Sequence, residues 1–145
     1  MVGVCASGKT TLFRELQGLG IPVRAVAQEH SLVPGLFRRQ GSHPLVLLTA
    51  DWETVHRRRR LAWEPAFYRT EWMRLEEARK EADLVVQTDY LTPRQVAEVV
   101  RRWWDGRMGL DTCALDCSTG VQARRRAAQG LDGQQPWADS HPQSE

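Results

Sequence analysis

The segment from Gly3 to Thr10 constrains the fold of this chain more than any other part of the sequence. It follows the spacing G-x-x-x-x-G-K-[ST]. In loops of this kind, backbone N–H groups surround a phosphate, the lysine reaches the outer phosphates and the final hydroxyl ligates Mg²⁺. An amphipathic helical pattern from Lys9 to Leu19 follows at once, so the positive end of that helix would point at the phosphates. The spacing therefore predicts a phosphate-binding P-loop.

Seven predicted nucleotide contacts lie in this loop or directly after it. They are Gly3, Ala6, Ser7, Gly8, Lys9, Thr10 and Thr11. Gly3 and Gly8 would let backbone N–H groups turn inward as an anion nest, and Thr10 would ligate Mg²⁺. Only Met1 and Val2 precede the loop, whereas a strand usually has about five residues. We therefore expect a truncated first strand and a true start of translation upstream.

Short apolar runs alternate with helical patterns over the first hundred residues, which is typical of parallel βα units. Strands are predicted at Val23–Ala27, Leu45–Thr49 and Leu84–Gln87, with a fourth before the loop. Thr92 as N-cap, Pro93 at the first helical position and Gln95 as capping-box partner predict a last helix. Apolar residues then recur at helical spacing up to Trp104, so this helix should pack on the sheet and close the domain.

The composition indicates one folded unit without an evident nucleic-acid or membrane partner. Twenty basic and 18 acidic residues among 145 leave a net charge of +2, which is small for a nucleic-acid binder. No apolar run reaches the length of a membrane span. Cys113 and Cys117 lack neighbouring zinc ligands, and Cys5 is interpreted as a small residue that fits the loop. We expect a soluble, cytoplasmic protein with reduced thiols.

From about Gly106 onward, glycine and polar residues dominate and the apolar periodicity fades. Such a segment buries too little apolar surface to offset the entropy of ordering it. We expect a nucleotide-binding domain over residues 1–105 and a mostly disordered tail over residues 106–145. A short helix around Val121–Ala128 is the one element considered within this tail.

Polar side chains follow the predicted strand Val23–Ala27, at the sheet edge where open α/β proteins bind ligands. Glu29 could hold Mg²⁺ through water or accept the proton of an acceptor hydroxyl, and His30 could orient either group. Both could equally be solvated loop residues. Asp51 ends the next strand and competes for the metal role, but it is explained as well as the N-cap of a helix beginning at Trp52.

The run His56–Arg60 is the densest positive charge in the chain. This run has three interpretations. It could belong to a lid that neutralises phosphoryl charge, form a solvated helix face, or contact nucleic acid. Five aromatic residues interleave with the arginines or follow them, namely Trp52, Trp63, Phe67, Tyr68 and Trp72. Since Tyr68, Trp72 and Leu75 fit one helix face, most of these rings should be core or lid packing rather than base-stacking platforms.

The order of these motifs resembles the adenylate-kinase-like branch of the P-loop kinases, which includes shikimate, gluconate and nucleoside-monophosphate kinases. The motifs are the loop, the apolar strand followed by arginines, and Ala82–Asp89 leading into Leu91-Thr92-Pro93. The resemblance covers about Met1 to Trp104. It implies a three-layer P-loop NTPase fold, with a small parallel sheet flanked by helices, and ATP and Mg²⁺ as cofactors.

The resemblance also implies a mobile lid over about residues 52–72 whose arginines clamp the phosphates. The candidate lid arginines are Arg57, Arg58, Arg59, Arg60 and Arg69, and the loop beside the adenine would be Thr88, Asp89 and Tyr90. The predicted catalytic residues are Lys9, Glu29, Arg58 and Arg59. Asp89 is the predicted nucleotide contact in the adenine-side loop, and Thr10 and Glu29 are the predicted metal ligands.

This chain departs from that family between its second and third strands. Family members carry a further βα unit and an acceptor-binding region there, whereas only residues 28–43 occupy the interval. We expect an ATP-binding protein that transfers the γ-phosphoryl to a small hydroxyl or phosphate acceptor. The alternative is a non-catalytic or slowly hydrolysing nucleotide-binding protein that acts through a partner.

Overall fold

The computed structural model of the protein describes residues 1–59, 64–108 and 121–123. One sheet has the order β1-β2-β3-β4, with strands β1 (Val2–Gly3), β2 (Val46–Thr49), β3 (Leu84–Gln87) and β4 (Val121–Ala123). The first three strands are parallel, and β4 is antiparallel to β3. The protein is therefore an α/β protein with a small parallel sheet of three strands.

Helices cover both faces of this sheet. They are α1 (Lys9–Gly18), α2 (Leu36–Arg39), α3 (Trp52–Arg59), α4 (Pro65–Arg74), α5 (Glu76–Glu81) and α6 (Pro93–Arg107), with a 3₁₀ turn at Gln28–His30. Side chains alternate across a strand, so Leu47 of β2 packs with α3, α4 and α5 while Leu48 packs with α1 and α6. Two apolar cores, one on each face, thus hold the sheet between helical layers.

Local signals at the helix ends are the ones that the sequence predicts. Gly20 has φ +72°, and the N–H groups of Gly20 and Ile21 donate to the carbonyls of Gln17 and Leu16, each at 3.0 Å. This is a Schellman ending, in which glycine adopts the left-handed conformation at little cost. The prediction of a glycine stop after α1 is confirmed.

The predicted start of the last helix is confirmed as well. The Thr92 hydroxyl accepts from the N–H of Gln95 at 3.3 Å, and the Gln95 side chain accepts from the N–H of Thr92 at 2.8 Å. These two bonds form a capping box, with Pro93 at the first helical position. The helix then buries Val96, Val100 and Trp103 against the sheet and α1.

The predicted strand at Val23–Ala27 is wrong, because this segment has no regular strand pairing. Its Val26 N–H donates to the carbonyl of Met1 at 2.9 Å, so the segment runs beside β1. β1 itself has only two residues. Two residues offer too few backbone groups for a regular ladder on that side.

The C-terminal region differs in part from the expectation. Helix α6 ends at Arg107, two residues beyond the predicted domain boundary, and residues 121–123 form a strand where a short helix was considered. The rest of the predicted tail, at 109–120 and 124–145, lies outside the described residues, as do Arg60 and Trp63. Within the part of the chain that is described, no helix is long and apolar enough to cross a membrane.

Candidate functional site

A cleft of about 580 Å³ opens at the carboxyl ends of the parallel strands. The loop after β1 and the first turn of α1 form one wall, and Arg58 and Arg59 of α3 form another. Glu29 and His30 close the cleft on one side, and Leu91, Pro93 and Val96 add an apolar surface. All seven residues from Cys5 to Thr11 line it, and six of them, from Ala6 to Thr11, are predicted nucleotide contacts. Both predicted metal ligands, Thr10 and Glu29, also line the cleft.

Glycine is required at two positions of the loop for different reasons. At Gly3, an added Cβ would lie 2.4 Å from the carbonyl oxygen of Leu48 and 2.8 Å from Ser7 Oγ. At Gly8, φ is +96°, which a side chain rarely tolerates. Ala6 also has a positive φ, of 57°. The loop thus combines a tight contact with β2 and left-handed turns just before α1, a geometry in which successive N–H groups form anion-binding concavities.

Lys9 is folded back over the loop. Its Nζ donates to the carbonyls of Gly3 at 2.7 Å and Val4 at 2.9 Å, and it lies 2.6 Å from Glu29 Oε1. Glu29 is 2% exposed, and its Oε2 has no hydrogen-bond partner among the described residues. The 3₁₀ turn thus places an anionic oxygen beside the lysine and leaves a second, buried oxygen unsatisfied.

Arg58 connects three parts of the cleft. Its guanidinium donates to the carbonyl of Ala6 at 3.1 Å, to Thr88 Oγ1 at 3.1 Å and to the Thr88 carbonyl at 2.7 Å. Arg59 donates to Cys5 Sγ at 2.8 Å. The structure therefore brings the two arginines chosen from the sequence to the loop. Arg57 instead donates to Thr54 within α3, and Arg69 is exposed on α4 away from the residues that line the cleft.

Asp51 and Asp89 are joined by a hydrogen bond between the segments that follow β2 and β3. Asp51 Oδ1 accepts from the N–H of Thr54 at 2.7 Å, which caps α3, and the Asp51 N–H donates to Asp89 Oδ1 at 2.8 Å. The N-cap interpretation of Asp51 is therefore confirmed. Neither carboxylate is among the described residues that line the cleft. Tyr90 is 90% exposed, so Thr88 is the one residue of the predicted adenine-side loop at the cleft wall.

The aromatic residues near the arginines pack mostly as expected. Tyr68 and Trp72 are buried in the core beside Leu75, and the Tyr68 hydroxyl donates to the Ala50 carbonyl at 2.7 Å. Trp52 packs edge-on against Tyr68, whereas Phe67 is exposed. Core packing therefore accounts for three of the four described rings.

A second polar cluster lies on the side of the loop that faces α4. Glu71 is 3% exposed, and its Oε2 accepts from the N–H of Cys5 at 2.9 Å. Cys5 Sγ lies 3.2 Å from His30 Nε2. Burial, followed by the Glu71 carboxylate, raises the pKa of the Cys5 thiol to about 11. These groups hold the loop against α4 and the 3₁₀ turn.

Glu71 is the site residue that the sequence interpretation missed. It lies between Tyr68 and Trp72 on α4, and residues three or four apart share a helix face. A carboxylate beside two core aromatic residues was therefore a signal that this side chain is buried. Its partner Cys5 is 66 residues away in the chain, and no local pattern could identify that contact.

Comparison with known proteins does not assign the chain to a family. It matches no protein-family model, and no curated protein resembles it closely enough to count as a relative. The fold is that of an α/β protein with helices on both faces of a small parallel sheet and a cleft at the sheet's carboxyl edge.

Proposed function

We propose that this protein binds ATP in the cleft and transfers its γ-phosphoryl to a small hydroxyl or phosphate acceptor, as a P-loop kinase of the adenylate-kinase-like type. The observation that carries the proposal is the placement of Lys9. It lies at the start of α1, on a loop with left-handed turns at Ala6 and Gly8, and it faces a cleft large enough for a nucleotide. A triphosphate needs this combination of a cation and converging N–H donors.

The chain's residues fit Mg²⁺ and ATP at three points. The loop backbone and the N-terminus of α1 supply donors for phosphate oxygens. Thr10 and the unsatisfied Oε2 of buried Glu29 offer oxygens of the kind that Mg²⁺ prefers, directly or through water. When bound, Mg²⁺ neutralises charge on the phosphates.

Lys9 has a distinct role in the free and the nucleotide-bound protein under this proposal. In the free protein it pairs with Glu29 and two loop carbonyls. A phosphate in the cleft would compete for the same ammonium group, and Lys9 would turn toward it. Glu29 would then be released to accept the proton of an acceptor hydroxyl, the role predicted from the sequence.

Arg58 and Arg59 add positive charge to the cleft beside the loop. Their guanidinium groups are held by Ala6, Thr88 and Cys5 at the rim of the loop. Arginines placed in this way stabilise the negative charge that develops on a transferred phosphoryl group. Leu91, Pro93 and Val96 form an apolar surface that suits a nucleobase.

The second candidate is a nucleotide-binding protein that hydrolyses slowly or not at all and acts through a partner. It is favoured by the interval between the 3₁₀ turn and β2, where residues 31–44 contribute none of the described residues of the cleft wall. A kinase with a standard acceptor region would place side chains there.

Acceptor-dependent ADP release separates the two candidates. Wild type and Lys9→Ala are assayed with Mg-ATP and a panel of small alcohols and phosphate monoesters. Lys80→Ala is the matched control, because Lys80 is the other lysine of the chain and lies exposed on α5. A kinase releases ADP faster with one acceptor, and this turnover is lost in Lys9→Ala alone. ATP binding without any acceptor effect supports the second candidate.

A further inference from the structure

A thiol, an imidazole and a carboxylate converge next to the Gly3–Thr10 loop. One ligand atom from each of Cys5, His30 and Glu71 lies within 4.8 Å of the other two. Sγ of Cys5 is 3.2 Å from Nε2 of His30, and Oε1 of Glu71 is 3.9 Å from Nδ1 of the same ring. The three residues come from the loop, the 3₁₀ turn and α4, so the cluster joins three separate elements.

Within the described ranges, only one of the two oxygens of the Glu71 carboxylate accepts a hydrogen bond. Its Oε2 accepts from the Cys5 N–H, but Oε1 is buried without a hydrogen-bond partner in the described part of the chain. The side chain is 4% exposed, so water does not readily solvate that oxygen. Leaving a buried carboxylate oxygen unpaired is unfavourable unless a donor or cation meets it. This oxygen faces the imidazole of His30 and lies close to the thiol of Cys5.

The chemistry of the three groups selects a particular kind of cation. Mg²⁺ takes oxygen ligands, whereas sulfur and imidazole nitrogen together suit Zn²⁺ and similar ions. Metal–ligand distances of about 2.0–2.3 Å in a tetrahedral site place ligand atoms roughly 3.3–3.8 Å apart. The sulfur–nitrogen distance is close to this range, and the His30 ring is half exposed and can turn toward Glu71.

We propose that Cys5, His30 and Glu71 form a binding site for a thiophilic divalent cation, with Zn²⁺ as its representative. Binding forms a metal–sulfur bond, and the thiol proton leaves to the solvent. Water completes the coordination, since Glu29 is paired with Lys9. The N–H···S contact from Arg59 is compatible with coordination because metal-bound thiolates commonly accept hydrogen bonds. The ion ties the loop to α4, and this role does not rest on the proposed kinase activity.

Metal titration of the full chain without nucleotide tests the site. Zn²⁺ affinity is measured by competition with a chromophoric chelator, and Co²⁺ is added separately because a thiolate-to-cobalt absorption band reports sulfur coordination. The variants are Cys5→Ser, His30→Gln and Glu71→Gln. Matched controls are His56→Gln, an exposed histidine on α3, and the double variant Cys113→Ser/Cys117→Ser, which removes the other two thiols.

We expect the cobalt band in wild type and both controls, and its loss in Cys5→Ser. Loss of a group that only orients a metal ligand costs about 10–100-fold in affinity, so His30→Gln and Glu71→Gln should weaken Zn²⁺ binding at least tenfold. Zn²⁺ should also raise the thermal midpoint of wild type. The proposal is overturned if wild type shows no band, if the band survives in Cys5→Ser, or if only the double cysteine variant loses it. Should Cys5→Ser fail to fold, His30→Gln provides the test, because its side chain is half exposed. A Zn²⁺ affinity equal to that of wild type in this variant would then overturn the proposal.

Discussion

Replacing Gly3 by alanine should destabilise the protein because the new Cβ would lie too close to neighbouring atoms. The new Cβ would lie 2.4 Å from the Leu48 carbonyl oxygen, 2.8 Å from Ser7 Oγ and 3.0 Å from Leu48 Cβ. The closest atom belongs to the backbone of β2, so β1 itself must shift by about an ångström. Overpacking of this kind costs about 1–3 kcal/mol, and we expect the upper end because a strand cannot move as a side chain can.

Urea unfolding followed by circular dichroism measures this change. With a slope of about 2 kcal/mol per M, a cost of about 1–3 kcal/mol lowers the urea midpoint by roughly 0.5–1.5 M, and we expect a fall near the upper end of that range. Gly18→Ala is the control, since an added Cβ there meets nothing within 4 Å at the end of α1. A helical alanine is favoured over glycine by up to about 1 kcal/mol, so this variant should not lose stability. Equal midpoints for Gly3→Ala and wild type would refute the steric reasoning.

Three further changes test other parts of the structure. Arg58→Ala removes the contacts to Ala6 and Thr88, and under the proposed function it should lower turnover about 10²-fold or more. Arg69→Ala, which removes an exposed side chain of α4, should leave turnover unchanged, and equal losses in the two variants would contradict the placement of Arg58. Thr92→Ala removes the capping box and should cost about 1 kcal/mol in urea unfolding, whereas an unchanged midpoint would show that the cap is dispensable. The pKa of Cys5 rises from about 9 to about 11 on folding, so the folded state binds more protons in this interval and stability should fall as pH rises from 9 to 11. Cys5→Ser should lessen that loss, and an identical pH profile would be evidence against a buried thiol.

Elements with strong local signals could be predicted from the sequence. The β-branched run at Leu84–Gln87 forms a strand with the predicted bounds, and Thr92 and Gln95 form the predicted capping box. Both signals act between residues close in the chain, through side-chain alternation and capping. The motif and the chain order also predicted that the loop would lie near Arg58 and Arg59, and these residues do line one cleft. Their role in phosphate chemistry stays a prediction.

Features that depend on distant partners could not be predicted. Val23–Ala27 has the residue types of a strand, but the two-residue β1 beside it offers too little backbone to pair with. The carboxylate of Asp89 accepts from the Asp51 N–H, 38 residues away in the chain, while the prediction of Asp89 as a nucleotide contact stays a prediction. Glu71 meets Cys5 only because α4 packs against the 3₁₀ turn. Each of these outcomes is decided by tertiary packing rather than by local propensity.

Binding of Mg-ATP, measured by isothermal titration calorimetry, tests the central claim most directly. Wild type and Lys80→Ala should bind alike. Lys9→Ala should bind at least about tenfold more weakly, because a hydrogen bond to a charged group is worth about 1.5–3 kcal/mol. No binding by wild type, or equal binding by wild type and Lys9→Ala, would contradict the assignment of the Gly3–Thr10 loop as a phosphate site.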